Sequence, residues 1–556
     1  MSEAAEQAWH SNTVWRRAAA VAILLGMFLA VLTFSLRGSF WDANDYGLLS
    51  LSHAIHFEWR LTHWDSIPSP GLAGHPGILF YFASWLALAL TIPSFLPADF
   101  ERFSKIMANA EAIYIANQAI AIVVVALSAG AFVRVASRIT SFGVILAALG
   151  IWLGSSYQSF MTSTALSIET FALQLNVLLL WILLKFTRTA RISNGDLIIG
   201  GLVAASGYLM KLPYLYVAFG VIAAFTASCV INRATLIRTL SGLAIIVSTF
   251  MLAVAGIGYG VIGKLGFEDL LRFHEAVLLH SGHYGNGDIG VLQASHAKAA
   301  FNSFLAYGST APWLALILGL LCIGLTITVA WTRKASPAEL VLSAGAGVAS
   351  VSAAAGVLKH FEEHYAAGVS ATLPALVIAV FLLLKSIQPE RFRRFGMFLA
   401  GVLLAGFLTY GIYNSLRVTV ADKRLTASRR AEGLEDRRQM DVLLHAGEGK
   451  AFFGYRVPMR EFGEGFVLHF TGIAALQDEY RSRNQSRVSS FMIPAGTFKY
   501  VVLDKNYFPN LSAIQNAKSL NPAGSAQVTL SSADQIVELR RCFVVVKAQP
   551  FVLPPP

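Results

Sequence analysis

The chain has 556 residues, of which 55% are hydrophobic and only 13% charged, with a mean hydropathy of +0.58. Soluble domains carry about 25% charged residues, so the composition excludes an ordinary soluble enzyme and points to a membrane protein. The net charge of +11 does not imply nucleic acid, because much of the basic charge sits at the ends of apolar runs and forms no aromatic-interleaved stripe. With three cysteines, two of them in apolar runs, neither a disulfide framework nor a zinc cluster is expected.

The first apolar run, 18–36, follows Arg16 and Arg17 and ends without a small-residue cleavage site, so it reads as a retained helix. Runs near the ~20 residues that cross a bilayer core follow at 112–133, 141–161, 167–187, 197–210, 214–230, 240–263, 311–331, 337–358, 366–385 and 395–416. Basic clusters flank them: Arg16/Arg17, Arg134/Arg138, Lys185/Arg188/Arg191, Arg233/Arg238, Arg333/Lys334 and Lys385/Arg391/Arg393/Arg394. All six fall on one side if the N-terminus is cytoplasmic. That requires the apolar run 77–96, aromatic and interrupted by Pro93 and Pro97, to lie at the interface without crossing.

The arms 197–210 and 214–230 are separated by Lys211-Leu212-Pro213. Proline removes a backbone donor and breaks the helix, so Lys211 is expected at a turn on the outer side. Outer loops then cover 37–109, 264–310 and 359–365, and the tail also lies outside. In the tail, 422–445 reads as helix, while 451–457, 466–473, 500–503 and 537–546 are rich in aromatic and branched residues and read as strands. The expected architecture is an α-helical polytopic membrane protein of about eleven spans, residues 18–416, with a small α/β or α+β domain at 417–556.

Several residues could carry chemistry. Asp42 and Asp45 lie just beyond the first span, where a partly desolvated carboxylate can act as a base; Asp45 could equally cap a helix. Glu169 opens the span 167–187, a position the helix dipole favours by itself. Lys211, Lys359, His364 and Tyr365 form a cationic and aromatic group suited to a phosphate. His75 precedes Pro76 in the first loop, and His280, His283 and Tyr284 lie in a glycine-rich stretch of the second, read as a mobile acceptor-binding loop. Glu58 and Asp65 read as solvated loop residues. Asp42 with Asp45 offers oxygen ligands of the kind a divalent cation takes, without defining a metal site. The absence of a GxxxxGK[ST] sequence leaves ATP-driven transport unsupported.

The order of these residues resembles the C-type superfamily of polytopic membrane glycosyltransferases, which includes protein O-mannosyltransferases, lipid A aminoarabinose transferases and rhizobial lipopolysaccharide galacturonosyltransferases. Asp42-Ala43-Asn44-Asp45-Tyr46 occupies the place of the family's acidic motif, and His75-Pro76-Gly77-Ile78-Leu79 that of its His-Pro-Pro-Leu. Glu169 matches an acidic residue opening the fourth span. Gly207-Tyr208-Leu209-Met210-Lys211-Leu212-Pro213 matches its lysine hairpin, and His364-Tyr365 stands where it has Arg-Tyr. The resemblance covers roughly residues 15–420. It implies transfer of a sugar from a polyprenyl-phosphate donor to a glycan, lipid or protein hydroxyl, outside a bacterial inner membrane. Asp42 would be the base, supported by Asp45 and Glu169, and inversion would follow by analogy with single-displacement glycosidases. The competing expectation is a multi-pass transporter with a relay of Asp42, Lys211 and Glu169. Against it stands the expectation of only one broken hairpin, where transporters repeat such breaks in both halves.

Overall fold

The computed structural model describes residues 3–35, 40–41, 45–62, 77–92, 99–187, 192–280, 288–290, 294–306, 309–332, 336–359, 364–386, 390–446, 449–454, 457–484, 487–489, 496–505, 508–510, 512, 514 and 531–553. They form two compact units. One comprises Met1–Leu32, Ala73–Phe80 and Gln118–Thr419; the other comprises Thr33–Leu72, Tyr81–Asn117 and Val420–Pro556.

Among the described residues, eight helices are long and apolar enough to cross a bilayer, or nine if one bent pair counts as a span. The chain is therefore a multi-pass membrane protein. Nine of the eleven expected spans coincide with these helices, the bent pair counted as one. Helix Asn194–Met210 has 17 residues, about 25 Å at 1.5 Å per residue, the short end of the range that crosses a bilayer core. Residues 395–416 lie wholly within a longer helix. No glycine or proline interrupts 412–432, and the chain continues as one helix of 57 residues, Glu390–Ala446. The run 77–96 contributes helix Ile78–Thr91, of only 14 residues.

One expected straight element is bent. Phe142–Gly154 and Tyr157–Thr164 meet at 88°. The break survives because its polar groups find partners: the Ser155 carbonyl accepts from the Thr310 and Ala311 amides at 2.9 and 3.1 Å. Helix Leu236–Leu279 is interrupted at Gly263, whose φ of +73° suits glycine alone. Among the described residues the segment 264–310 is thus largely helical, in Leu236–Leu279 and then Ala294–Ala306, so its expected loop character is corrected. Burial separates central from peripheral spans. Tyr365–Lys385 is 94% buried over its most apolar stretch, whereas Leu236–Lys264 is 17% buried and turns Ile237 and Leu252 outward, as a lipid-facing helix does. Helices Tyr216–Ile231 and Pro337–Lys359 approach closely at Gly220, Gly345 and Ala349, the small-residue contact that lets membrane helices pack backbone to backbone.

The second unit carries a mixed sheet of β1 (Ala451–Phe453), β2 (Arg487–Ser489), β3 (Gly496–Asp504), β4 (Gln535–Glu538) and β5 (Cys542–Leu553), in the order β2-β1-β3-β5-β4. β1 runs parallel to β2 and β3, and β5 antiparallel to β3 and β4. Alternate residues serve two cores. Phe453, Tyr500, Val502 and Val544 face one, and Phe452, Val501, Leu503 and Val545 the other. The first of these cores also contains Leu48, Leu51 and Ile55 from helix Asp45–Thr62 and Phe103 from helix Phe100–Ala108. First-loop residues and tail residues therefore share one hydrophobic interior.

The expected strand at 466–473 is instead part of helix Arg460–Thr471. Phe462, Phe466 and Val467 recur at helical spacing and are buried together, so periodicity overrides the β-favouring composition. Glu58, expected at the surface, is 4% exposed and is bridged by both Nε and Nη2 of Arg102. A bidentate buried pair of this kind is costly to break because the surviving charge has no water. Glu58→Ala is expected to cost about 3–5 kcal/mol, measured by thermal unfolding of the detergent-solubilised chain; a change within about 0.5 kcal/mol would refute the pairing.

His53 and His56 lie on the same helix, 3% and 1% exposed. Their Nδ1 atoms donate to the carbonyls of Leu49 (2.6 Å) and Thr471 (3.1 Å). Burial pushes the imidazoles down to about 3 and about 4, so both stay neutral in the fold. The unfolded chain takes up protons near pH 6.5 and the folded chain does not. Their stabilisation is therefore complete above pH 6.5 and is lost as the pH falls towards 4. At pH 5 the loss should be roughly 2 kcal/mol per histidine. A His53→Gln/His56→Gln chain should show a flatter stability profile between pH 7.5 and 5 than the unaltered chain.

Candidate functional site

The polar centre of the first unit is assembled at helix breaks. Glu169 sits on the 3-10 turn Ile168–Phe171, which is held by a capping box. The Ser167 amide donates to Thr170 Oγ1, whose hydroxyl donates to the Thr162 carbonyl. Lys211 is an extended residue between helix Asn194–Met210 and the 3-10 turn Leu212–Leu215, where Pro213 follows. His364 immediately precedes helix Tyr365–Ser370, at the start of the most deeply buried span.

These three breaks converge. Lys211 Nζ donates to Glu169 Oε1 at 2.9 Å and lies 3.1 Å from His364 Nε2. An ammonium only donates, so that second contact is a hydrogen bond when His364 Nε2 keeps its lone pair. His364 Nε2 is 3.7 Å from the same Glu169 oxygen. Lys211 Nζ also stands 4.0 Å from the Tyr365 ring centroid, in cation–π range. The side chains of Lys211 and Glu169 are 6% and 2% exposed, that of His364 24%, so His364 forms the accessible edge of the group. Beside the pair is a cavity of about 10 Å³, lined also by Tyr214, Tyr216 and Gly368, with room for about one water.

The first-loop motif reaches this place through Gly77. Its amide donates to the Met210 carbonyl at 3.1 Å, and a Cβ on it would stand 3.0 Å from Ile168. Gly77 thus touches both residues that precede the ion pair. Its φ of +43° is closed to proline, whose ring holds φ near −65°, which accounts physically for glycine in this position.

Of the residues expected from sequence, Glu169, Lys211, His364 and Tyr365 come together. Lys359 Nζ donates instead to the Leu278 carbonyl, and His280 forms an antiparallel bridge with Ile289. Asp42, His75, His283 and Tyr284 lie outside the described residues; Asp45 opens helix Asp45–Thr62, but its side chain is likewise outside them. Among the described residues no three His, Cys, Asp or Glu side chains gather as metal ligands. Sequence reasoning missed Tyr214 and Tyr216, whose only signal was their place just after Lys211-Leu212-Pro213. No family model matches the chain, and no curated protein is significantly similar to it.

The buried ion pair can be tested directly. Lys211→Met should cost about 3–5 kcal/mol by leaving the buried Glu169 carboxylate without its ammonium partner, while Lys211→Met with Glu169→Leu should recover most of that loss. Additive losses in the double variant, measured by thermal unfolding, would show that the two residues are not coupled.

Proposed function

We propose that the chain is a membrane glycosyltransferase that moves a sugar from a polyprenyl-phosphate donor to an acceptor hydroxyl. The observation that carries this reading is the convergence of Lys211, Glu169, His364 and Tyr365, drawn from segments 42 and 153 residues apart, at the ends of apolar spans. The same residues resemble the lysine hairpin, acidic residue and Arg-Tyr pair of the C-type superfamily.

In this reading Lys211 and His364 hold the donor phosphate and stabilise the charge it gains as the glycosidic bond breaks. Glu169 orients Lys211 and supplies the opposite charge beside it in an apolar surrounding. The cavity beside the pair has room for a water only, so the phosphate enters from the His364 side and His364 changes position on binding. Asp42 removes the acceptor proton, and the hydroxyl attacks the anomeric carbon opposite the phosphate, which inverts its configuration. The N-terminus is cytoplasmic, and the chemistry and the tail domain lie outside a bacterial inner membrane, where a lipid supplies the activated sugar.

A buried lysine–glutamate–histidine group also supports a second reading, ion-coupled transport. The structure strengthens that alternative in one respect: besides the break at Lys211, the 142–164 segment is broken too, so the sequence expectation of one broken hairpin is corrected. Proteoliposomes containing the full chain and a labelled polyprenyl-phosphate sugar separate the two readings. Transfer is expected, with inverted product, and Asp42→Asn should lower kcat about 10²–10⁴-fold with little change in KM. Lys211→Ala and His364→Ala should weaken both donor binding and turnover. Undiminished transfer by Asp42→Asn would remove the assigned base; solute uptake without sugar transfer would favour the transporter.

A further inference from the structure

The second unit contains a cavity of about 220 Å³ with a wall made largely of guanidinium groups. Arg429, Arg430 and Arg437 reach it from helix Glu390–Ala446, Arg460 from the first turn of helix Arg460–Thr471, and Arg541 from the turn before β5. Trp41 forms part of the wall, and no carboxylate is among its described lining residues.

The five cations are not equally satisfied. Arg437 donates to Glu461 (2.6 Å) and Asp441 (3.2 Å), and Arg460 donates to Glu464 (2.6 Å). Arg541, 8% exposed, donates from Nη1 to the Arg429 carbonyl at 3.1 Å. The turn that carries it is fixed by Asp436, whose two oxygens accept from the amides of Arg540 and Arg541 at 2.8 and 2.6 Å. Arg429 and Arg430 are half-buried and have no carboxylate within ion-pair distance among the described residues. Gathering like charges around a partly enclosed space raises their mutual repulsion, since screening by water is weaker there. A purely structural role gives no return for that repulsion, whereas a bound anion removes it.

The donors also select the anion. Forked guanidinium groups match phosphate oxygens bidentately, and several converging forks satisfy a phosphate better than a single carboxylate. Leu434, Pro458 and Met459 add an apolar wall beside Trp41, suited to the ring or chain attached to the phosphate. The volume is below that of pockets for drug-sized ligands, about 300–1,000 Å³, and fits a headgroup. We propose that this cavity binds a phosphate ester headgroup, carried by a lipid or by a soluble phosphorylated sugar, at a site separate from the Lys211 centre. The proposal does not depend on the transferase reading.

The test uses the full chain in neutral detergent, with thermal unfolding followed in inorganic phosphate and in chloride at matched ionic strength. Phosphate should raise the melting temperature saturably. Arg429→Ala/Arg430→Ala should melt at the same or a higher temperature in chloride, because it relieves repulsion and leaves the Arg429 carbonyl bond intact, yet lose the phosphate response. Its phosphate affinity should fall at least ~10-fold, as expected for two lost charge-assisted contacts. Lys211→Ala should retain the response, which separates this site from the proposed donor site. Tighter binding of dihexanoyl phosphatidic acid than of hexose 1-phosphate would assign a lipid source, and the reverse order a soluble sugar phosphate. No saturable response in the unaltered chain, or an equal response in the double-alanine variant, would overturn the proposal.

Discussion

The arrangement of the first unit turns on one electrostatic constraint: Lys211 and Glu169 are buried, and neither charge can be left alone there. Each sits where a helix is broken, Lys211 at 2.9 Å from its partner. A lysine in an apolar hairpin is costly unless it meets an anion, so the pair fixes how the hairpin and the following spans must pack. It also aligns two further elements. His364 and Tyr365 are drawn to the same ammonium, and Gly77 is hydrogen-bonded to the residue before it. Ground-state geometry therefore commits Lys211 to protein partners, and an incoming phosphate would compete with Glu169 and His364 for its protons. Those partners hold the lysine in one orientation.

In the second unit the organising force is different. First-loop helices and the tail sheet contribute to one core, in which Leu48, Ile55 and Phe103 lie with Phe453, Phe462 and Val502. Residues more than 300 positions apart are thus held together by burial of apolar area, the main favourable term in folding. Two polar features are built into this interior. The Glu58–Arg102 bridge is fully enclosed, and His53 and His56 are kept neutral by burial. Both tie the first-loop helices to a single arrangement, since each would leave an unsatisfied group if the packing slipped. The arginine-lined cavity stands apart from these features, because two of its five arginines, Arg429 and Arg430, have no carboxylate within ion-pair distance among the described residues.

Much of the outline was legible in the sequence, and particular residues show why. Apolar length alone marked most spans, and Pro213 marked the break that leaves Lys211 extended. The association of Lys211, Glu169, His364 and Tyr365 was legible as a set because charges inside apolar segments are rare and must find one another. Errors arose where local composition and tertiary context disagree. The aromatic run at 466–473 favoured a strand by content and a helix by spacing, and packing of one face decided for the helix. Glu58 looked solvated because its partner Arg102 lies 44 residues away, beyond any local pattern. The bend at Ser155 carried no proline, and its carbonyl is satisfied by the amides of Thr310 and Ala311, 155 and more residues away.

By itself the sequence determined that this is a multi-pass membrane protein with a mixed α and β tail, because hydrophobic length and alternation are local properties of the chain. It also supplied the charged residues whose burial demands partners. Only the tertiary structure decided that the first-loop helices share their core with the tail, that Gly77 abuts the ion pair, and that five arginines face one cavity. Those outcomes depend on contacts between distant segments, and a one-dimensional pattern does not encode which distant segments meet.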